Sequence, residues 1–470
     1  PMSQLNNFVT LNDIPTNMIE RIEVYKGIVP YKFGGAALGG AVNVVTKEYP
    51  PVYFDFSYEL GSFNTHQVST VFKRTDKKSG LQFGIGGAFS FSKNNYKMLL
   101  SNVGNRTVER DHDTFKKIMT GMSLKATKWW FDEMKWELIF LKTRQEIQGI
   151  DLDVREAYNH SIIGVTALTL KRKNFFLDGL DFDFNIGYAI GRYGLCDKAM
   201  NRYDWDGNKL PPVSPYGGEQ NNYPSDGNNH SKELTSKLNL EYTIDKHHGV
   251  NLNVYFDRNS LRPKDPLMDK ALGFQSNFPS RMNTLTLALS YDLTLFEGRF
   301  QNAFTLKNYK FSSHSRSINV YSVSAPEPVS VSKSYFGFND AMRYKLTNDW
   351  MVKASFNSEV RIPTNEELIG NGYSILASPA LKPERTSGVN VGMMYRHIKQ
   401  NGGLVEIEFN GFYNQLKDMI RFTPDLIPTM ARYRNFGSVR TRGIELDVKA
   451  DVCSSVYLYA NGTYQDLRDV

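Results

Sequence analysis

Leu234-Thr235-Ser236-Lys237-Leu238-Asn239-Leu240-Glu241-Tyr242-Thr243-Ile244, followed by Asp245-Lys246-His247-His248-Gly249 and then Val250-Asn251-Leu252-Asn253-Val254-Tyr255-Phe256, decides the fold. The even positions of the first run are Leu234, Ser236, Leu238, Leu240, Tyr242 and Ile244. The odd ones are Thr235, Lys237, Asn239, Glu241 and Thr243. Successive side chains of a strand point to opposite faces, so a period of two predicts one apolar and one polar face. After a short polar turn, Val250, Leu252, Val254 and Phe256 resume the alternation against Asn251, Asn253 and Tyr255. Two such runs across a tight turn predict an antiparallel hairpin.

The pattern recurs along the chain. Leu285, Leu287, Leu289, Tyr291, Leu293 and Leu295 share one parity. Val405, Ile407, Phe409, Gly411 and Tyr413 enclose Glu406, Glu408 and Asn410, and Ile444, Leu446, Val448 and Ala450 repeat it. Seventeen strands are predicted, from 51–60 to 456–466. One alternating strand also suits a soluble sandwich, but the connections discriminate. Short polar turns lie near Thr75–Gly80, Lys128–Glu133, Lys173–Gly179, Asp245–Gly249, Phe296–Gly298, Thr347–Asp349, His397–Gly403 and Asp451–Ser454. Between them fall longer segments, 92–114, 145–160, 191–233, 259–282, 312–334, 359–386 and 422–434; only Gly61–Thr65 on that side is short. Tight turns at one rim and long loops at the other predict an all-β transmembrane antiparallel β-barrel. Most runs have the length of about 10 residues that a tilted strand needs to span the bilayer. Trp129, Trp130, Trp136 and Trp350, with Phe175 and Phe176, flank short turns, where an interfacial aromatic girdle belongs.

Composition agrees. The 470 residues include 26 Tyr, 30 Phe and 36 Gly, with 41% hydrophobic and 22% charged residues, too apolar for a disordered chain. The longest nearly apolar run, Ile162–Leu170, is roughly half a spanning helix. Two cysteines exclude a disulfide scaffold and a four-thiolate zinc site. Cys196 and Cys453 fall at opposite rims, too far apart to be bridged. The net charge of +7 is spread over strands and turns rather than gathered in a reader motif, so no nucleic acid is expected as partner. No HExxH, GxSxG, P-loop or CxxC is present, so no enzyme chemistry and no cofactor are expected.

Residues 1–49 read differently. Asn17-Met18-Ile19-Glu20-Arg21-Ile22-Glu23-Val24-Tyr25-Lys26-Gly27 is an alternating strand ending at a glycine. Tyr31-Lys32-Phe33-Gly34-Gly35-Ala36-Ala37-Leu38-Gly39-Gly40-Ala41-Val42-Asn43-Val44-Val45-Thr46-Lys47 is a run of small residues leading into a short strand. Together they resemble the end of the plug domain of TonB-dependent outer-membrane receptors, an IERIEVxKG strand, a Gly/Ala-rich turn and a GGxVNxxTK strand directly before the barrel. Val360-Arg361-Ile362-Pro363-Thr364, Glu367-Leu368 and Ser378-Pro379-Ala380-Leu381-Lys382-Pro383-Glu384-Arg385 resemble the family's FRAP…NPNLKPE element. Phe436-Gly437 with Arg442-Gly443-Ile444-Glu445-Leu446 resembles its NxGxxxxxGxE segment.

The resemblance implies residues 1–49 as the C-terminal part of a plug in the lumen and 50–470 as the outer-membrane barrel. The family barrel has about 22 strands. About five are therefore expected to follow Val470, and no TonB box is visible at the start. Glu20, Arg21, Glu23, Gly27, Gly39, Gly40 and Asn43 are the plug-motif residues, with Glu20, Arg21 and Glu23 expected to partner charges of the lumen wall. The implied function is TonB-dependent, energy-coupled uptake of a bulky nutrient, a ferric siderophore or similar metal chelate, at the outer membrane of a Gram-negative bacterium. The alternatives are a glycan or cobalamin importer of the same fold, or a passive porin or adhesin barrel. The implied partners are TonB, the nutrient ligand, outer-membrane lipid or lipopolysaccharide, and a surface lipoprotein.

Siderophore receptors offer cations and aromatics to bulky, often anionic complexes. The loop 191–233 supplies Arg192, Tyr193, Arg202, Tyr203, Trp205, Tyr216 and Tyr223 as substrate-binding candidates. No histidine lies between Arg361 and Leu381, where the family's haem receptors carry one. Asp204-Trp205-Asp206-Gly207-Asn208 fails the EF-hand pattern, since Arg202 and Val213 occupy the first and twelfth ligand positions. Asp111-His112-Asp113 reads as a solvated loop and His247-His248 as a polar turn; no metal site is expected.

Overall fold

The computed structural model describes residues 19–26, 40–47, 50–220, 223–273, 275, 278–317, 327–371, 375–399, 402–425 and 431–470. Two short strands, β1 (Ile19–Lys26) and β2 (Gly40–Thr46), pair antiparallel as a hairpin. Seventeen long strands follow among the described residues: β3 (Val52–Gly61), β4 (Thr65–Asp76), β5 (Leu81–Ser92), β6 (Phe115–Ala126), β7 (Glu133–Glu146), β8 (Tyr158–Arg172), β9 (Leu180–Asp197), β10 (Asn229–Thr243), β11 (His248–Arg262), β12 (Ser280–Leu295), β13 (Phe300–Ser317), β14 (Glu327–Lys345), β15 (Trp350–Arg361), β16 (Glu384–Ile398), β17 (Leu404–Lys417), β18 (Ser438–Cys453) and β19 (Val456–Asp469). Each pairs antiparallel with the next, in one sheet that curls into a barrel wall. β3 and β19 stand at the two ends of the series, each in register with one neighbour.

Burial is inverted relative to a water-soluble protein. On β9, β12 and β13 the outward Ile190, Leu289 and Leu306 are 50%, 52% and 52% exposed, while the inward Asn251 and Asp257 of β11 are 0% and 1% exposed. Apolar side chains pointing outward along strand after strand need an apolar solvent, and a bilayer supplies it. No helix among the described residues is long and apolar enough to cross a membrane. Trp129, Trp130 and Phe176 project from the short-turn rim, as an interfacial girdle requires.

Several boundaries differ from the sequence reading: within the segment 191–233, read as a loop, β9 runs on to Asp197 and β10 opens at Asn229, and β11 and β12 likewise extend into 259–282. The segment 312–334, read as a loop, is mostly strand: β13 and β14 stay in register out to Ser317 and Glu327. Its Ser- and Val-rich alternation carries little apolar signal because this end stands beyond the lipid. The segment 404–421, read as one strand, breaks after Lys417. Asp418 turns the backbone at φ 54°, and Ile420–Pro424 then pairs with Ala431–Asn435 in a separate small sheet.

Candidate functional site

The inner wall sets the chemistry. Inward positions of β10 to β15 carry Asn, Ser, Thr and a few charges. Glu359 of β15 anchors one cluster. Lys307 Nζ lies 2.6 Å from Oε1, Asn339 Nδ2 donates to the same oxygen at 2.9 Å, and the Tyr309 hydroxyl donates to Oε2. A buried ion pair is tolerated when further hydrogen bonds satisfy its free lone pairs, as here. Asn251 Nδ2 donates to Asn239 Oδ1 at 2.8 Å, and Asn259 Nδ2 to Asp257 Oδ1 at 2.5 Å.

Over this wall lies a roof. The chain leaving β15 forms α2 (Asn365–Ile369), capped by Thr364 and Glu367 in a reciprocal box. Arg361 holds the turn. Its Nη1 and Nη2 donate to the two oxygens of Glu367 at 2.9 and 3.1 Å, and its Nε to Glu384 at 2.5 Å. Glu384 also accepts the Ile420 amide at 2.6 Å. The fork geometry is one that only arginine provides. The turn aims α2 inward, so that Leu368, 0% exposed, joins an apolar cluster with the inward Tyr193, Leu261, Met282, Tyr309 and Phe311. On the far side Asn229 Nδ2 donates to the Asn371 carbonyl at 3.0 Å, and Asn229 Oδ1 accepts the Lys264 amide at 3.0 Å.

Buried carboxylates tie the remaining loops together. Glu219 accepts the amides of Arg155, Glu156 and Ala157 at 3.0, 2.6 and 2.7 Å. Asp197 accepts those of Glu219 and Gln220 at 2.8 and 3.0 Å. Asp265, N-cap of α1 (Pro266–Leu272), accepts the Ser225 hydroxyl at 2.5 Å and the Asp226 and Met268 amides at 3.0 Å each. Four loops are therefore stitched into one assembly above the lumen. Ionised acceptors of amide hydrogens make some of the stronger hydrogen bonds a protein has.

The sequence candidates fall in different places. Tyr193 is inside the apolar cluster beneath the roof. Arg192, one position away, is on the outward parity of Tyr188 and Ile190, because a strand turns neighbours to opposite faces. Tyr203 carries the Arg155 guanidinium 3.8 Å from its ring centroid, and Tyr216 the Lys270 ammonium at 4.6 Å. Trp205 Nε1 donates to the Ile150 carbonyl at 3.1 Å, and Arg202 Nε to that of Pro211 at 2.8 Å. Tyr223 is half-buried in the same loop. Tyr203, Trp205 and Tyr216 thus join their loop to its neighbours, while Arg202 bonds within its own. The buried tethers Asp197, Glu219, Asn229 and Asp265 were not among the candidates; no spacing rule marks a loop residue whose partners are on another loop.

Asp204 accepts the amides of Asp206 and Asn208 at 2.9 and 2.8 Å and the Asn208 side chain at 2.9 Å, which uses the carboxylate within its own turn. His112 Nε2 lies 2.9 Å from the Ala157 carbonyl. In the hairpin, Arg21 pairs with Glu23 at 2.7 Å and Glu20 at 3.5 Å, and Asn43 Nδ2 donates to Glu23 at 2.9 Å. Within β1 and β2, strand pairing brings these side chains together. Gly40 opens β2, while Gly27 and Gly39 are outside the described residues. Cys196 and Cys453 are free thiols at the long-loop and short-turn ends of their strands.

Two titrating groups belong to the roof. Burial, with the neighbouring Glu367 charge, pushes the Glu366 carboxyl up, although the Tyr433 hydroxyl donates to it at 3.2 Å. The Tyr433 phenol, buried beside that carboxylate, is pushed up to about 12.

The sequence profile described as TonB dependent receptor-like, beta-barrel matches residues 167–469. No curated protein matches the chain. Among solved structures, the copper transporter OprC superposes with a TM-score of 0.71 at 14% identity, over 97% of this chain and 68% of that one. The ferric yersiniabactin uptake receptor FyuA from Yersinia pestis gives 0.66 at 15% identity, over 96% and 67%. The alcaligin outer-membrane receptor FauA from Bordetella pertussis gives 0.64 at 12%, over 97% and 68%. At such identities the likeness shows the fold alone, while the profile match covers more than half of the chain. The chain belongs to the TonB-dependent receptor-like β-barrel family, whose members are transporters and receptors of the Gram-negative outer membrane that bind substrates and interact with TonB.

Proposed function

We propose that this chain takes up a bulky nutrient by TonB-coupled active transport, and that the cargo is a ferric siderophore or a similar metal chelate. The observation that carries the active reading is the roof. A passive pore needs a standing opening, whereas here α2 is packed into the mouth by Leu368 and tied across it by Asn229. Passage of a bulky solute therefore requires the roof to move. The cargo class is supported by the siderophore and metal receptors among proteins of the same fold. Arg202, Tyr203, Trp205, Tyr216 and Tyr223, all on the outer loops, are the residues we assign to first contact with cargo. Residues 1–49 act as the end of the plug and 50–470 as the barrel. Outer-leaflet lipid surrounds the wall, and a surface lipoprotein completes the proposed set of partners.

Uptake of a radiolabelled ferric chelate panel by cells expressing the receptor, with and without TonB, tests this. Accumulation of one or more chelates that is lost without TonB is expected. TonB-independent accumulation would establish a passive barrel, and accumulation of glycans or cobalamin alone would establish the other importer class.

A further inference from the structure

The outward face of the wall is asymmetric between its two rims. Moving toward the long-loop rim, the apolar parity of strand after strand ends in a cation. Lys116 follows Ile118 on β6, Lys142 and Arg144 follow Phe140 on β7, and Arg192 follows Ile190 on β9. Lys232 follows Leu234 on β10, and Arg258 follows Phe256 on β11. Arg281 follows Leu285 and Asn283 on β12.

The register makes these positions one band rather than seven separate charges. Lys116 is opposite Arg144, and Arg144 opposite His160; Arg192 is opposite His230, and His230 opposite Arg262. Ser260, one outward step from Arg258, is opposite both Lys232 and Arg281. The band ends in a cleft on the outer surface of β12 to β14, lined mainly by Arg281, Asn283, Ser312, His314, Ser330 and Ser332. Two carboxylates stand farther out on this parity, Glu146 and Asp226, and they are 3.8 Å from His112 and 2.6 Å from Lys198 rather than on the band's cations. Among the described residues, none of the seven cations forms an ion pair with a carboxylate. Arg144 instead stacks on the Tyr158 ring, with its guanidinium carbon 3.7 Å from the centroid. At the opposite rim the outward parity of β10 and β12 ends in Tyr242, Ile244, Leu293 and Leu295.

Long cationic side chains placed just above an apolar belt reach to the headgroup level. A row of them forming no ion pair with a carboxylate among the described residues matches a plane of fixed negative charge. We propose that the outward face from β6 to β12 is a binding arc for the phosphate groups of the outer leaflet's glycolipid. The arc holds phosphorylated glycolipid against one side of the barrel, and the cleft at Arg281 and His314 receives its sugar-phosphate head. The proposal rests on the outer-membrane placement of the chain and is independent of the cargo.

The test uses the receptor purified in detergent and titrated with three probes: a bis-phosphorylated glucosamine lipid, the same lipid dephosphorylated, and inorganic phosphate. Bound lipid is counted by native mass spectrometry. The wild type is expected to hold the phosphorylated lipid, to prefer it at least about tenfold over the dephosphorylated one, and to release it at high salt. The combined substitution Arg144→Gln, Lys232→Gln, Arg258→Gln, Arg281→Gln should abolish retention. Lys77→Gln, Lys78→Gln, Lys246→Gln, Lys345→Gln, with the same charge change at the opposite rim, should not alter it. If the combined variant does not fold, Lys232→Gln and Arg281→Gln taken singly should each weaken binding by about fivefold. Equal binding of both lipids, unchanged retention by the arc variants, or full displacement by equimolar inorganic phosphate would overturn the proposal.

Discussion

Asn229 and Asn371 are 142 positions apart, yet the Asn229 amide donates to the Asn371 carbonyl at 3.0 Å with the asparagine side chain fully buried. The bond joins the first residue of β10 to a loop that leaves the wall five strands later. The same side chain accepts the Lys264 amide, so one residue holds two loops. Replacing Asn229 with alanine removes both bonds, one of them to the carbonyl of the buried Asn371, a cost of about 1–3 kcal/mol. Amide exchange over 364–371 should accelerate by about tenfold or more, while exchange within β11 and β12 stays unchanged. Exchange mass spectrometry reads both.

Arg361 is the hinge pin on the other side. With Glu367 and Glu384 both largely buried, Arg361→Met leaves two carboxylates without their cation. That should cost about 3–5 kcal/mol. Arg361→Lys keeps the charge but loses the two-pronged contact and should fall between. The triple change Arg361→Met, Glu367→Gln, Glu384→Gln removes the stranded charges and should recover much of the loss. Thermal unfolding in detergent ranks the four proteins, and a triple variant less stable than Arg361→Met would refute the charge argument.

Glu219 is the tether of the loop 147–157. Glu219→Ala deletes the acceptor of three amides and should release that loop, while Glu219→Gln keeps an oxygen and should release it less. A hydrogen bond to a charged group contributes about 1.5–3 kcal/mol. Trp205 reports the change, because its indole donates to Ile150 within the tethered loop. Its fluorescence should shift toward that of a solvated indole in the alanine variant.

The roof should also respond to pH. Burial raises the folded-state value of the Glu366 carboxyl, so the folded roof favours the protonated form. The associated stability is fully present below the ordinary carboxyl value of about 4.3 and is lost as pH rises through the raised folded value. Amide exchange of α2, corrected for its intrinsic pH dependence, should therefore report a tighter roof in mild acid than at neutral pH. Glu366→Gln should hold the tighter state at both. A roof that loosens on acidification would contradict the assignment.

Strand parity is a local property, and it was legible. Leu234 to Ile244 and Val250 to Phe256 show which face meets an apolar medium, because a side chain's face depends only on its neighbours one and two positions away. All seventeen strands, the alternation of short and long connections and the aromatic rim followed from that. The extended ends of β13 and β14 were missed for the same physical reason: beyond the lipid both faces meet water, and the period of two loses its contrast. The roof was not legible at all. Thr364, Glu367, Glu384 and Arg361 could be recognised as a motif, but nothing in their order says that α2 turns inward to bury Leu368. Likewise Glu219 finds the amides of 155–157, and Asn229 the carbonyl of Asn371, only once the wall has curved and brought distant loops over one opening. Loop tethers are formed by hydrogen bonds between residues with no shared period, so only the curved arrangement of the wall decides which polar side chain meets which backbone group.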